Sequence, residues 1–232
     1  MKEPLFKSRS EAGARLAEKL VDLSGDSIMV LAIPNGGLPV AISVANALGA
    51  DLDLIISRKI PLPLSPEGGF GAIADNGSVI LNDNMVEKYR LTEDQIHYQI
   101  EKVKKEIKER SLLYRGNRPL PSITDKTVII VDDGLASGYT MLAAIKSLEY
   151  REPREIIAAV PVAWEKAAWQ VEKETKLVTS LVVNEPVFYI SDYYSQWYDL
   201  SDKETLELFR KWLNSHPQNG FHHQKPSLKR LF

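Results

Sequence analysis

Val128-Ile129-Ile130-Val131-Asp132-Asp133-Gly134-Leu135-Ala136-Ser137-Gly138-Tyr139-Thr140 is the stretch whose reading decides the fold. Four β-branched residues in a row, closed by a pair of carboxylates and a run of small residues, describe a buried strand whose carboxyl end opens into a tight loop. Met141, Leu142, Ile145 and Leu148 then recur at helical spacing. Residues 138–140 therefore fall near a helix N-terminus, where free backbone N–H groups and the macrodipole favour an anion. Two acids beside an anion cradle conflict unless one ligand carries both a phosphate and a polyhydroxyl ring, as a sugar phosphate does.

The same strand, turn and helix order appears upstream. Residues 28–33 read as a buried strand, Pro34-Asn35-Gly36-Gly37 as the break, and residues 38–48 as a helix of small residues able to pack closely on a sheet. Before them, Ser10 is placed as the N-cap of a first helix carrying Leu16, Leu20 and Leu23, with Gly25 as its stop. A strand over residues 52–57 ends at the cations Arg58 and Lys59. Residues 60–71 hold three prolines and three glycines without apolar periodicity, which predicts a long, mobile surface loop. Asp75-Asn76-Gly77 between two short apolar runs predicts a hairpin, and Thr92 with Gln95 predicts a capping box opening a long helix with Ile96, Ile100, Val103 and Ile107 on one face.

Downstream, residues 155–162 read as a strand, 164–174 as a helix, 177–183 as a strand, and Ser201 as the cap of a last helix. The alternation predicts an α/β fold, a parallel β-sheet with helices on both faces, with ligands at the strands' carboxyl ends. Three clusters sit at such ends: residues 35–37, 58–59 and 132–140.

The chain of 232 residues has 29 Lys and Arg against 31 Asp and Glu, a net charge of −2, so no general affinity for nucleic acid or anionic membrane is expected. With no cysteine, disulfides and thiolate metal sites are excluded. The sequence has no apolar run of spanning length and no signal-peptide core after Met1, and a cytoplasmic location is expected. Residues 1–215 are expected to form a single domain and residues 216–232 a flexible tail.

The stretch 128–140 resembles the phosphoribosyl-diphosphate (PRPP) signature of type I phosphoribosyltransferases. Residues 34–37, Arg58-Lys59 and the Pro66-Glu67-Gly68-Gly69-Phe70-Gly71-Ala72 segment are similar to the predicted phosphoribosyltransferase branch of that family. The resemblance implies a mostly parallel sheet with a small hood, formed here by the N-terminal residues and about residues 184–200. It implies that Asp132 and Asp133 accept hydrogen bonds from the ribose hydroxyls. Gly134, Ala136, Ser137, Gly138, Tyr139 and Thr140 would hold the 5′-phosphate, and Asn35, Gly36 and Gly37 the diphosphate. Arg58 and Lys59 would offset charge on the departing diphosphate, with Glu67 in a loop that closes over the site. Mg²⁺ would arrive with PRPP near Asp132 and Asp133, with no residue assigned as its own ligand set. The implied activity is transfer of the phosphoribosyl group to an unidentified, nitrogenous-base acceptor by a homodimer. The alternatives are a non-catalytic PRPP sensor and a hydrolase or phosphorylase of a related sugar phosphate.

The sequence departs from the family pattern in ways that bear on function. Asn35 stands where relatives carry Arg, and residues 60–71 contain no Lys or Arg. Ala136 occupies the place of the acid with which hypoxanthine and guanine enzymes handle the purine N7.

Overall fold

The computed structural model describes residues 4–23, 27–116, 118–187 and 189–217, apart from the side chains of Pro66 and Glu67. Five strands form a parallel sheet: β1 (Ile28–Ala32), β2 (Asp51–Leu54), β6 (Thr127–Val131), β7 (Glu155–Trp164) and β8 (Lys176–Val183), in the order β2-β1-β6-β7-β8. Alternate residues of one strand serve opposite faces. Met29, Leu31, Val128 and Ile130 pack with α5 (Tyr139–Leu148) and α6 (Glu165–Glu172). Ile28, Val30, Ala32, Ile129 and Val131 pack with α1 (Arg9–Glu18), α2 (Gly37–Leu48) and α7 (Asp202–Ser215). Burial on both faces is why these strands read as unbroken apolar runs rather than alternating ones.

The chain enters the sheet at β1, moves outward to β2, and later returns to β1's other side as β6. The direction of winding therefore reverses between β1 and β6, and the crevice beyond their carboxyl ends is where a ligand fits in such sheets. Ala32 pairs with Val131 at that end, so the loops after the two strands leave side by side.

A second, antiparallel sheet holds β3 (Ser57–Leu62), β4 (Ser65–Ala74) and β5 (Val79–Leu81). It corrects the expectation of a mobile loop over residues 60–71. Ile60 pairs with Gly71, Pro61 with Gly69 and Leu62 with Ser65, with register irregularities around Pro61. Ile60, Leu62 and Phe70 are buried with Val103 and Ile107 of α4 (Glu93–Arg115). The glycines signalled close packing rather than flexibility: a Cβ on Gly69 would strike the Lys59 side chain, and one on Gly71 the Ile80 carbonyl. The hairpin at residues 75–77 forms between β4 and β5, with Gly77 at φ +91°. A short helix, α3 (Asp83–Lys88), leads to α4, whose Thr92/Gln95 capping box is present.

The first helix is capped by Ser8, whose side chain accepts from the Glu11 amide, rather than by Ser10. The stop expected at Gly25 lies outside the described residues, as do residues 218–232 of the expected tail. The chain start meets the segment before α7: Phe6 donates to the Tyr193 carbonyl at 2.9 Å, Ser195 donates back to Phe6 at 2.8 Å, and the Phe6 and Tyr194 rings lie 5.5 Å apart. No described helix is long and apolar enough to cross a membrane.

Candidate active site

The acid pair follows β6 directly, and its loop is anchored on the far side by Leu135, which pairs with Ala163 of β7. The Asp133 amide donates to Asp132 Oδ1 at 2.8 Å. Burial pushes both carboxyls above the usual Asp range. For Asp132 the neighbouring Asp133 charge adds to the rise, whereas for Asp133 the Arg9 guanidinium opposes it. The pair is thus a place where a proton, or a ligand's hydroxyl donors, would be welcome.

Gly138 sits at φ +81° immediately before α5. Thr140 belongs to the helix's first turn, whose amides have no intrahelical acceptor. Gly134 lies tightly beneath Ile190, and Gly138 faces Ala167 and Val171 of α6. Ser137 is exposed at the loop's tip. Residues 134–140, the stretch expected to hold an anion, are therefore fixed by the sheet on one side and by α6 on the other.

Across the crevice stands the loop after β1. A Cβ on Gly36 would overlap the Asp133 carboxylate, and one on Gly37 would lie 2.6 Å from the Val131 carbonyl and 2.9 Å from Asp132 Cα. The two glycines let this loop close against the acid pair. The Pro34–Asn35 peptide bond is cis. Asn35 turns its side chain into a polar network: its Nδ2 donates to the Leu200 carbonyl at 2.7 Å and to Asp202 Oδ1 at 3.0 Å, while its Oδ1 accepts from the Tyr114 hydroxyl at 2.8 Å. Arg110 pairs with the same Asp202 oxygen at 2.9 Å. Burial, reinforced by Asp202, pushes the Tyr114 hydroxyl's pKa well up, which keeps it a proton donor.

Arg58 and Lys59 occupy the second and third positions of β3 rather than the end of a parallel strand. Ser57, just before them, donates to the Thr140 carbonyl at 2.7 Å and so ties β3 to the start of α5. Arg58 points toward α4, where it pairs with Glu106 at 3.3 Å. It lines a cavity of about 270 Å³ with Arg110, Glu109, Leu113 and Asp202. Burial and the neighbouring Arg110 charge lower its pKa. Lys59 is exposed and lies against Gly69. Glu67's side chain lies outside the described residues. Residues 35–37 and 132–133 are thus directly apposed, residues 134–140 continue from them, and Arg58 reaches the loop's neighbourhood through Asp202.

Arg9 escapes a motif search. Its Nε donates to Asp133 Oδ2 at 2.8 Å, a partner 124 positions away in sequence. A trace of it is legible all the same: Arg9 falls at helical spacing with Ala12, Gly13, Leu16 and Ala17 on the buried stripe of α1, an unusual place for a cation. Tyr194, whose hydroxyl donates to the Asp133 carbonyl at 2.6 Å, was visible only as one of several aromatics.

No group of three or more His, Cys, Asp or Glu able to hold a metal occurs among the described residues. An adjacent carboxylate pair suits Mg²⁺, which is commonly held by one or two carboxylates together with its substrate's phosphates.

Residues 7–193 match the family model described as phosphoribosyl transferase domain. The Mycobacterium tuberculosis protein named "Putative phosphoribosyl transferase Rv0571c" is 33% identical over 202 residues, covering 87% of this chain and 46% of that protein. The chain thus spans about half the length of the curated relatives it matches. The crystal structure of TT1426 from Thermus thermophilus superposes with a TM-score of 0.72 at 30% identity, covering 89% of this chain and 98% of that one. The match over most of its length, on the parallel sheet described above, means that the chain belongs to the phosphoribosyl transferase domain family.

Proposed function

We propose that the protein is a Mg²⁺-dependent phosphoribosyltransferase that moves the phosphoribosyl group of PRPP to a nitrogenous base and releases diphosphate. The observation that carries this reading is the apposition, at the sheet's switch point, of the acid pair and the glycine loop, with a helix start beside them. Asp132 and Asp133 accept the ribose hydroxyls. The amides of residues 134–140, with the hydroxyls of Ser137 and Thr140, bind the 5′-phosphate. The backbone at Asn35, Gly36 and Gly37 faces the diphosphate, and Arg58 and Lys59 balance its charge from β3. Bound Mg²⁺ would supply further neutralisation of the leaving group.

The bond from the anomeric carbon to diphosphate breaks, the leaving group keeps the electron pair, and a bond to the acceptor nitrogen forms as that nitrogen gives up its proton. Holding both partners in line and excluding water from the electron-poor carbon are the protein's contributions. The chain start and residues 189–200 form the hood over the acceptor side, and the active species is a cytoplasmic homodimer.

Isothermal titration with PRPP and Mg²⁺, followed by diphosphate release measured across nucleobases, tests the reading. Binding followed by release with one base is expected; binding without release under any acceptor would sink the enzyme and leave a PRPP-binding regulator. One observation favours that second reading: the Asn35 side chain is neutral, and its amide is engaged with Leu200, Asp202 and Tyr114, so it brings neither a charge nor a spare donor to the diphosphate loop.

A further inference from the structure

Arg9 makes three separate contacts. Besides the bond to Asp133 Oδ2, its Nη1 donates to the Tyr198 carbonyl at 2.8 Å, and its guanidinium carbon lies 3.7 Å from the centre of the Trp197 ring. The side chain is only 8% exposed, and that of Asp133 13%. The planar fork of a guanidinium has a fixed relation between its donors. Once the ring face and the Tyr198 carbonyl have set its plane and one edge, the direction of Nε is determined, and it points at a single carboxylate oxygen. The same oxygen also lies against Gly36, where there is no space even for a Cβ. The backbone of Asp133 is held as well, by Tyr194, which packs on Phe6 and lies 5.4 Å from Trp197.

These contacts do more than attach the chain start to the segment before α7. The backbone bonds between Phe6, Lys7 and residues 193–196 already make that attachment. What Arg9 adds is control of one acid. A carboxylate that can rotate accepts a hydrogen bond from many directions; one whose Oδ2 is held by a guanidinium and packed against a glycine accepts it from few. Selectivity for ring hydroxyls depends on that restriction.

We propose that Arg9 is a positioning residue for ribose recognition, setting the plane of the Asp133 carboxylate so that the acid pair distinguishes a hydroxylated ring from a bare one. The inference rests on the assignment of the acid pair to ribose made above.

The test compares two probes by titration calorimetry on the full chain: ribose 5-phosphate, and tetrahydrofurfuryl phosphate, which keeps the five-membered ring and the phosphate but has no ring hydroxyls. Wild-type protein is expected to prefer ribose 5-phosphate by about tenfold or more, the scale of charge-assisted hydrogen bonds. In Arg9→Ala the preference is expected to fall to about threefold or less, with affinity for tetrahydrofurfuryl phosphate within about twofold of wild type. Arg9→Lys keeps the charge but lacks the fork, and it is expected to lose at least about threefold of the preference. It decides the question if the alanine variant does not fold. A preserved preference in either variant, or an equal loss for both probes, overturns the proposal, since a tether alone would weaken the two ligands together. If wild-type protein binds neither probe, or binds them equally, the phosphoribosyl reading fails first and the role of Arg9 falls with it.

Discussion

Asp132 and Asp133 carry raised pKa values because burial disfavours their charge. An unfolded chain releases an Asp proton near pH 3.9. Between that value and the higher native ones, the native state holds more protons, so the pair's contribution to stability falls as pH rises through that window. The pair's contribution to the stability of the ligand-free protein is therefore expected to be greater below its native pKa values than above them, and Asp132→Asn to flatten that part of the pH dependence. Asp132→Asn should also raise the melting midpoint above that window while weakening PRPP binding; scanning calorimetry across pH checks the first effect. The double change of Asp132 and Asp133 to Asn should weaken PRPP binding at least about tenfold, and unchanged affinity would remove the ribose assignment. The acids themselves were legible because strand, acid pair, small residues and helix start share one short stretch. Arg9 was not, because ion pairing across 124 positions leaves no local mark beyond one cation on an apolar stripe.

At the scale of elements, the loop after β1 is held from two sides. Gly36 and Gly37 press it to the acid pair, and Asn35 ties it to α4 and α7. Tyr114→Phe removes the hydroxyl that Asn35 and Asp202 share, and should cost about 1–3 kcal/mol in urea unfolding while lowering diphosphate affinity more than that for ribose 5-phosphate. Gly36→Ala should weaken PRPP binding by about tenfold or more, because the new methyl and the Asp133 carboxylate need the same space; wild-type affinity would place the loop elsewhere. The turn itself could be read from its glycines. The hairpin of β3 and β4 could not, because composition does not distinguish glycines that flex from glycines that let a neighbouring strand approach, and only pairing with Ile60 and Phe70 buried decides.

For the molecule as a whole, the two sheets are joined by a buried charge cluster. Arg115, at the end of α4, reaches Asp53 of β2 at 3.6 Å and Asp75 of the β4–β5 turn at 2.9 Å, and donates to the Leu54 carbonyl; Arg118 pairs with Asp53 at 3.3 Å. Burial raises the Asp53 pKa against the pull of Arg115 and Arg118. Arg115→Met leaves Asp53 short of its partner and is expected to destabilise the protein by about 3–5 kcal/mol in denaturant unfolding. The parallel sheet was legible at this scale because β–α alternation forces it; of the antiparallel sheet the β4–β5 hairpin was legible too, but the β3–β4 pairing and the charged joint were not, since their partners are brought together only by the tertiary fold.

The reversal of winding between β1 and β6 has a consequence for how the protein comes into being. Ile28 pairs with Thr127, and everything between them, including β2, the antiparallel sheet and α4, must be looped out before the crevice exists. Such pairing is slow to form, since the entropy of loop closure is met before any contact rewards it. No fragment ending before β6 can present the proposed ligand site, and a ligand held there would bridge the neighbouring strands β1 and β6. Native-state hydrogen exchange should accordingly find PRPP slowing the amides of β1 and β6 together, as one cooperative unit, rather than those of the loops alone.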